Sequence, residues 1–225
     1  HSAEVVESGP ARWLLRRCGE VAGMPAELDV SAPAHEERLD FELRLRWVPR
    51  DGFLTVRLPL APGATLTGDI PFGVERKDLD DETYLRDAWG SRHSIERYRD
   101  GLFYAKSFVA CESGGAGCAI VCRNTDRYYL RRSDGRGLEH LLINSVVSID
   151  DWERNVEPST LFGDGSHVFR WSLLFYEGGW RDASLVRRAQ ALRAEPLRMM
   201  DRLCHGRAVS RTWRAGDPLL EVEPD

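Results

Sequence analysis

The segment "LDFELRLRW" alternates without a break. Leu39, Phe41, Leu43, Leu45 and Trp47 fall on one side of an extended chain, and Asp40, Glu42, Arg44 and Arg46 on the other. A period of two fits a strand and not a helix, whose side chains repeat every 3.6 residues. The segment therefore predicts an antiparallel strand with one face in the core and one in water. After the turn signal "PRDG", the segment "FLTVRLPL" alternates again through Leu54, Val56, Leu58 and Leu60, so the two are expected to pair as a β-hairpin.

Similar patterns recur. "WLLRRCGEV" near residue 13, "LFYAKSFVA" from 102, "GCAIVCRN" from 117 and "RAVSRTW" from 207 read as strands. "HVFRWSLLFYE" puts Phe169, Trp171, Leu173 and Phe175 on one face, and glycine-rich turns such as "ESGGAG" and "FGDGS" punctuate the series. Many short strands with frequent turns predict a mainly β, antiparallel sandwich. One segment departs from this: "DASLVRRAQALRAEPL" places Leu185, Ala189 and Leu192 at helical spacing. Asp182 or Ser184 is expected to cap its start and Pro196 to close it, giving one short helix near 184–194. With no internal repeat or low-complexity linker, residues 1–225 read as a single domain, and the leading His-Ser as a cloning remnant.

Bulk properties narrow the class. The charge of −5 argues against nucleic acid as a partner, and no stretch approaches the roughly 20 apolar residues of a membrane span. Lys77 and Lys106 are the only lysines among 31 basic residues, an arginine bias expected of a GC-rich genome. Five cysteines (Cys18, Cys111, Cys118, Cys122 and Cys204) match no standard disulfide or zinc spacing. They are expected to be free and mostly buried, with Cys118 and Cys122 on one strand face, which fits a reducing compartment. The opening "HSAEVVESGP" has no basic or apolar leader region. A bacterial, cytoplasmic protein is the expectation.

Signs of chemistry are sparse. There is no phosphate loop, nucleophile elbow or H-E-x-x-H pair, and the six histidines are scattered. No metal site is expected in this chain. The carboxylate cluster Asp78, Asp80, Asp81 and Glu82 reads as a solvated loop. "RRSDGRG" (131–137) is expected to turn at Asp134-Gly135 with arginines converging, an arrangement able to grip sugar hydroxyls or a carboxylate. Trp89, Tyr98, Tyr128, Tyr129, Trp152 and Trp180 are candidate sugar-stacking aromatics. "DIPFGVER" raises its own question, since an apolar run carrying Pro71 is unsuited to a central strand.

Taken in order, "RLDFELRLRWVPRDGFLTVRLPL", "DIPFGVER", "GSHVFRW" followed by "GGW", and the helix end "LRAEPL" resemble the C-terminal β-domain of glycoside hydrolase family 38, the α-mannosidases, from about Val5 to Val222. The resemblance implies a large supersandwich of the galactose-mutarotase-like type. It implies a longer parent that hydrolyses terminal α-mannose with retention, using a zinc ion and an Asp nucleophile in N-terminal catalytic and helical domains that this chain lacks. The chain would have no catalytic residues or cofactor of its own and be inactive alone. It would pack on those domains and line one wall of the carbohydrate pocket. "RRSDGRG" resembles a shortened form of a family segment whose last arginine reaches the sugar, which would make Arg136 and Asp134 pocket contacts. "DIPFGVER" would be a crossover between layers, with Phe72 and Val74 as core plugs and Gly73 at the bend.

Two other readings stay open. A stand-alone carbohydrate-binding module would need a groove lined by two or more Trp or Tyr. An aldose mutarotase-like enzyme would need a His and a carboxylate in a cleft, and His93 with Glu96, or His167 with Asp164, are the local pairs.

Overall fold

The computed structural model describes residues 2–48, 52–77, 102–124, 128–131, 137–145 and 165–194. Along the chain run β1 (Ser2–Ser8), β2 (Arg12–Val21), β3 (Met24–Pro33), β4 (Arg38–Trp47), β5 (Gly52–Pro59), β6 (Thr65–Ile70), β7 (Gly73–Arg76), β8 (Leu102–Tyr104), β9 (Phe108–Ser113), β10 (Ala116–Cys122), β11 (Tyr128–Arg131), β12 (Gly137–Ser145), β13 (Gly165–Glu177) and α1 (Leu185–Arg193). They form a sheet ordered β1-β2-β3-β4-β13-β10-β9-β6-β7 and a second ordered β5-β12-β11-β8. The described pairings are antiparallel, as the alternating patterns require. Among the described residues, the antiparallel sandwich with one short helix is borne out.

The main core lies between the sheets. The large sheet contributes Leu43, Leu45 and Trp47 from β4, Val109, Ile120, Phe169 and Trp171; the small sheet contributes Leu54, Phe103, Tyr129, Leu138 and Leu142. The face assigned to β4 from its alternation is thus the buried one. Its partners differ from expectation. β4 pairs with β3 and β13, whereas β5 pairs with β12 in the other sheet, so β4 and β5 do not form a hairpin. Alternation fixes which face is buried; it does not choose the neighbouring strand.

A second core sits on the opposite face of the large sheet. Leu185 and Ala189 of α1 pack on Phe108, Ala110, Ala119, Val121, Leu174 and Tyr176. The small Ala110 and Ala119 lie side by side in register, which leaves room for the helix. Because β10 is covered on both faces, its run Ala119-Ile120-Val121-Cys122 is fully buried. Ser184 occupies the helix start, but in a left-handed conformation (φ 49°) and without a side-chain cap. Asp182 instead accepts a hydrogen bond from Gly179 N–H at 3.4 Å. The expected cap is therefore absent, and tertiary burial of Leu185 and Ala189 anchors the helix.

The segment before the helix is tied to the β9–β10 hairpin. Glu112 Oε1 accepts Trp180 N–H at 2.6 Å and Tyr176 O–H at 3.2 Å, and Gly178 N–H donates to Gly115 O at 2.8 Å. Gly117 makes this possible. A Cβ there would lie 2.2 Å from the Tyr176 ring.

Beyond the helix-covered end, the outer face of the large sheet is a ladder of charges. Asp29 on β3 receives two parallel bonds from Arg16 at 2.8 and 2.9 Å and a third from Arg44 at 3.0 Å. Arg44 also reaches Glu27 at 2.5 Å, Arg170 reaches Glu42 at 2.5 Å, and Arg38 reaches Asp40 at 3.1 Å.

Candidate functional site

Asp134 and Arg136 lie outside the described residues. Their flanks are described: β11 and β12 pair antiparallel, with Arg131 opposite Leu138, so residues 132–136 connect neighbouring strands. Asp78, Asp80, Asp81, Glu82, Trp89, His93, Glu96, Tyr98, Trp152 and Asp164 also lie outside the described residues, as do Cys204 and the strand expected from 207.

Tyr129, a candidate sugar-stacking ring, is not accessible to a sugar. It is fully buried, stacked between Phe103 (5.7 Å between ring centres) and His140 (4.8 Å). The even spacing that puts a residue on a strand face does not say whether that face is wet. Burial pushes the Tyr129 hydroxyl well above its usual range, and its oxygen has no hydrogen-bond partner among the described residues. Trp180 is half-buried against the second core, with the Arg181 guanidinium 4.8 Å from its ring centre. His167 stacks on Phe169 at 5.4 Å.

An apolar cleft of about 450 Å³ opens between the sheets. Its walls include Leu28, Phe41, Leu43, Val56 and Trp171, with Arg17 and Arg57 among the polar lining. Phe41 and Trp171 lie parallel, 5.2 Å apart, so they stack on each other within the fold. The cleft has the chemistry of an incompletely covered core rather than a site that orients a polyol, which needs converging polar groups.

Cys111, Cys118, Cys122 and the exposed Cys18 form no disulfide. Cys111 and Cys118 face each other in register on the inner side, and burial pushes their thiols up to about 12 and about 11. They are inert as nucleophiles at neutral pH. Among the described residues no three His, Cys, Asp or Glu side chains converge as metal ligands, and no described helix is long and apolar enough to cross a membrane.

The "DIPFGVER" segment resolves differently from expectation. It is a hairpin: Asp69 pairs with Val74 and Ile70 with Gly73, leaving Pro71-Phe72 as a two-residue turn. Pro71 takes the position where its fixed φ is useful, and Phe72 takes positive φ (69°), the pattern of a type II turn. Phe72 is fully exposed, so it is no core plug, and the unusual backbone belongs to Phe72 and not to Gly73. Val74 does pack partly against the second core. The sequence signal was present: "TLTGDI" and "GVER" flank a Pro-initiated two-residue gap.

The base of this hairpin is clamped. The buried Asp69 carboxylate accepts Ser107 N–H at 2.7 Å, Phe108 N–H at 2.9 Å and the Ser107 hydroxyl. Lys106 N–H donates to Asp69 O at 2.7 Å. Lys77, also buried, pairs with Glu75 and sits 5.7 Å from the Phe103 ring centre.

Exposed apolar groups also occur at the far edge of the large sheet. Register puts Val5 and Trp13 on the inner face, the side that carries the main core elsewhere, and both are exposed. The small sheet does not cover them.

These features define a two-sheet antiparallel β-domain of the sandwich class, with exposed apolar points and no assembled catalytic group among its described residues. No family model and no curated protein matches the sequence. Among solved structures, an α-mannosidase from Enterococcus faecalis V583 superposes with a TM-score of 0.65 at 15% identity, covering 86% of this chain and 24% of that one. A protein in the glycosyl hydrolase family 38 from Enterococcus faecalis superposes with a TM-score of 0.66 at 14% identity, covering 86% and 25%. The chain thus spans about a quarter of the length of these neighbours, and its fold is that of the matched part of family 38 α-mannosidase chains. The resemblance expected from the sequence is borne out at the level of the fold.

Proposed function

We propose that this chain is the non-catalytic β-domain of a zinc-dependent retaining α-mannosidase. Its partners are the N-terminal catalytic and helical domains of the same parent protein, and the parent hydrolyses terminal α-mannose residues in the bacterial cytoplasm. The observation that carries this reading is the match of 86% of the chain to only 24% of an α-mannosidase. The exposed Val5, Trp13 and Phe72 support it, since apolar groups left in water at sheet edges suit a surface covered by more protein. The free cysteines fit a reducing compartment. In this reading the connection carrying Asp134 and Arg136 lines one wall of the sugar pocket, with Arg136 donating to mannose hydroxyls. Zinc and the nucleophile reside outside this chain.

The test is hydrolysis of an aryl α-mannoside. The purified chain is expected to give no turnover with or without added zinc, while the longer polypeptide turns over and loses activity to a chelator. Zinc-dependent turnover by the chain alone would overturn the reading.

A further inference from the structure

We infer that Phe72 is a docking anchor, a pre-set aromatic knob that inserts into an apolar pocket on the remainder of the longer polypeptide. The inference rests on the reading above and adds the contact by which the β-domain is held.

The first observation is exposure combined with backbone cost. A lone exposed aromatic is ordinary on a protein surface. An aromatic held at positive φ is not, because its Cβ crowds the backbone there and glycine would adopt the same turn freely. Phe72 has both properties at once. An uncompensated conformation of this kind persists only where the surroundings enforce it, and such sites cluster where a contact is made.

The second observation is the enforcement. Asp69, three residues before Phe72, is locked to the start of β9 through the N–H groups of Ser107 and Phe108 and the Ser107 hydroxyl. On the other arm, Lys77 N–H donates to Leu66 O at 2.8 Å, and the Lys77 side chain is buried against Phe103. The tip is thus held from both sides, so its aromatic ring is presented with little flexibility to lose on binding.

The third observation concerns the occupant. The tip Pro71-Phe72-Gly73 is exposed and its three side chains carry no donor or acceptor, so the tip itself offers sugar hydroxyls nothing but a ring face. That chemistry fits an apolar protein pocket. The matched part makes up 24% and 25% of the two solved chains, so ample polypeptide lies outside it to supply one.

Hydroxyl-radical footprinting read by mass spectrometry tests this, with the chain alone and the longer polypeptide compared. Phe72 is expected to be oxidised rapidly in the chain alone and about ten-fold more slowly in the longer polypeptide without sugar. Trp13 is the control. Protection of Trp13 with no change at Phe72 overturns the anchor and leaves the domain reading intact; no protection at either overturns both. Protection of Phe72 in the chain alone on adding mannose would make it a sugar platform and overturn the inference. Phe72→Gly supplies a second readout: it is expected to raise the Tm of the chain alone by about 2–4 °C and to lower that of the longer polypeptide. A lower Tm in the chain alone would mean that the ring supports its own hairpin, which also overturns the inference.

Discussion

Asp29 shows how single residues hold the wet face of the large sheet. Hydrogen bonds from Arg16, and then from Arg44, hold its carboxyl below the ordinary value of 3.8 against the opposing effect of burial. A depressed folded pKa stabilises the fold where the group is ionised in both states. That contribution is fully present above roughly pH 5 and is lost as pH falls through 3.8 toward the lower folded value. Both arginines are partly exposed, so solvent screening reduces the worth of the pairs. Asp29→Asn is expected to cost about 1–2 kcal/mol at pH 7 and close to nothing near pH 2. Thermal denaturation of both proteins from pH 7 to pH 2 checks this, and a constant gap across the range would refute it. Phe72 shows the converse case, a residue whose backbone costs about 1–2 kcal/mol. Its position in a turn was readable from Pro71 and the flanking strands. Its exposure was not, because an apolar residue in a turn looks the same in sequence whether it folds inward or outward.

At the scale of elements, the glycine at position 117 governs the junction of β10, β13 and α1. The Tyr176 ring lies across its Cα, and the ring's hydroxyl reaches Glu112, which also holds Trp180 N–H. Gly117→Ala is expected to push a buried, stiff ring out of this arrangement and to destabilise the chain by about 1–3 kcal/mol. Urea denaturation would show this as a lower midpoint at unchanged slope; an unchanged midpoint would mean the ring moves at no cost. The elements themselves were legible wherever one period dominated, as in β4, β13 and α1. β3 and β12 carry weaker signals, since "MPAELDVSAP" has Pro25 and Pro33 at its ends and "GLEHLLINS" breaks its alternation at the bulge between Leu141 and Ile143. The hairpin expected of β4 and β5 failed for a related reason. Both carry the right faces, but they serve different sheets, and that choice depends on β13 and β12, far along the chain.

For the whole molecule, two sheets account for a core that is complete in the middle and open at the margins. The inter-sheet cleft beside Phe41 and Trp171, the exposed Val5 and Trp13 on the inner side of the β1–β2 edge, and the bare tip at Phe72 all leave apolar surface in water. The sandwich class was readable from strand periodicity alone, whereas the family resemblance came from several short segments in order. Arg136 and Asp134 rest on that resemblance, because a connection between strands carries no periodicity from which a site could be derived. The proposed function requires these open margins to be covered by the rest of a longer polypeptide. Amide hydrogen exchange along β1 and β2 tests it most directly. Fast exchange is expected at this edge in the chain alone, with at least ten-fold slowing at β1 and β2 in the longer polypeptide as covered backbone opens less often. Equal exchange in the two would contradict it.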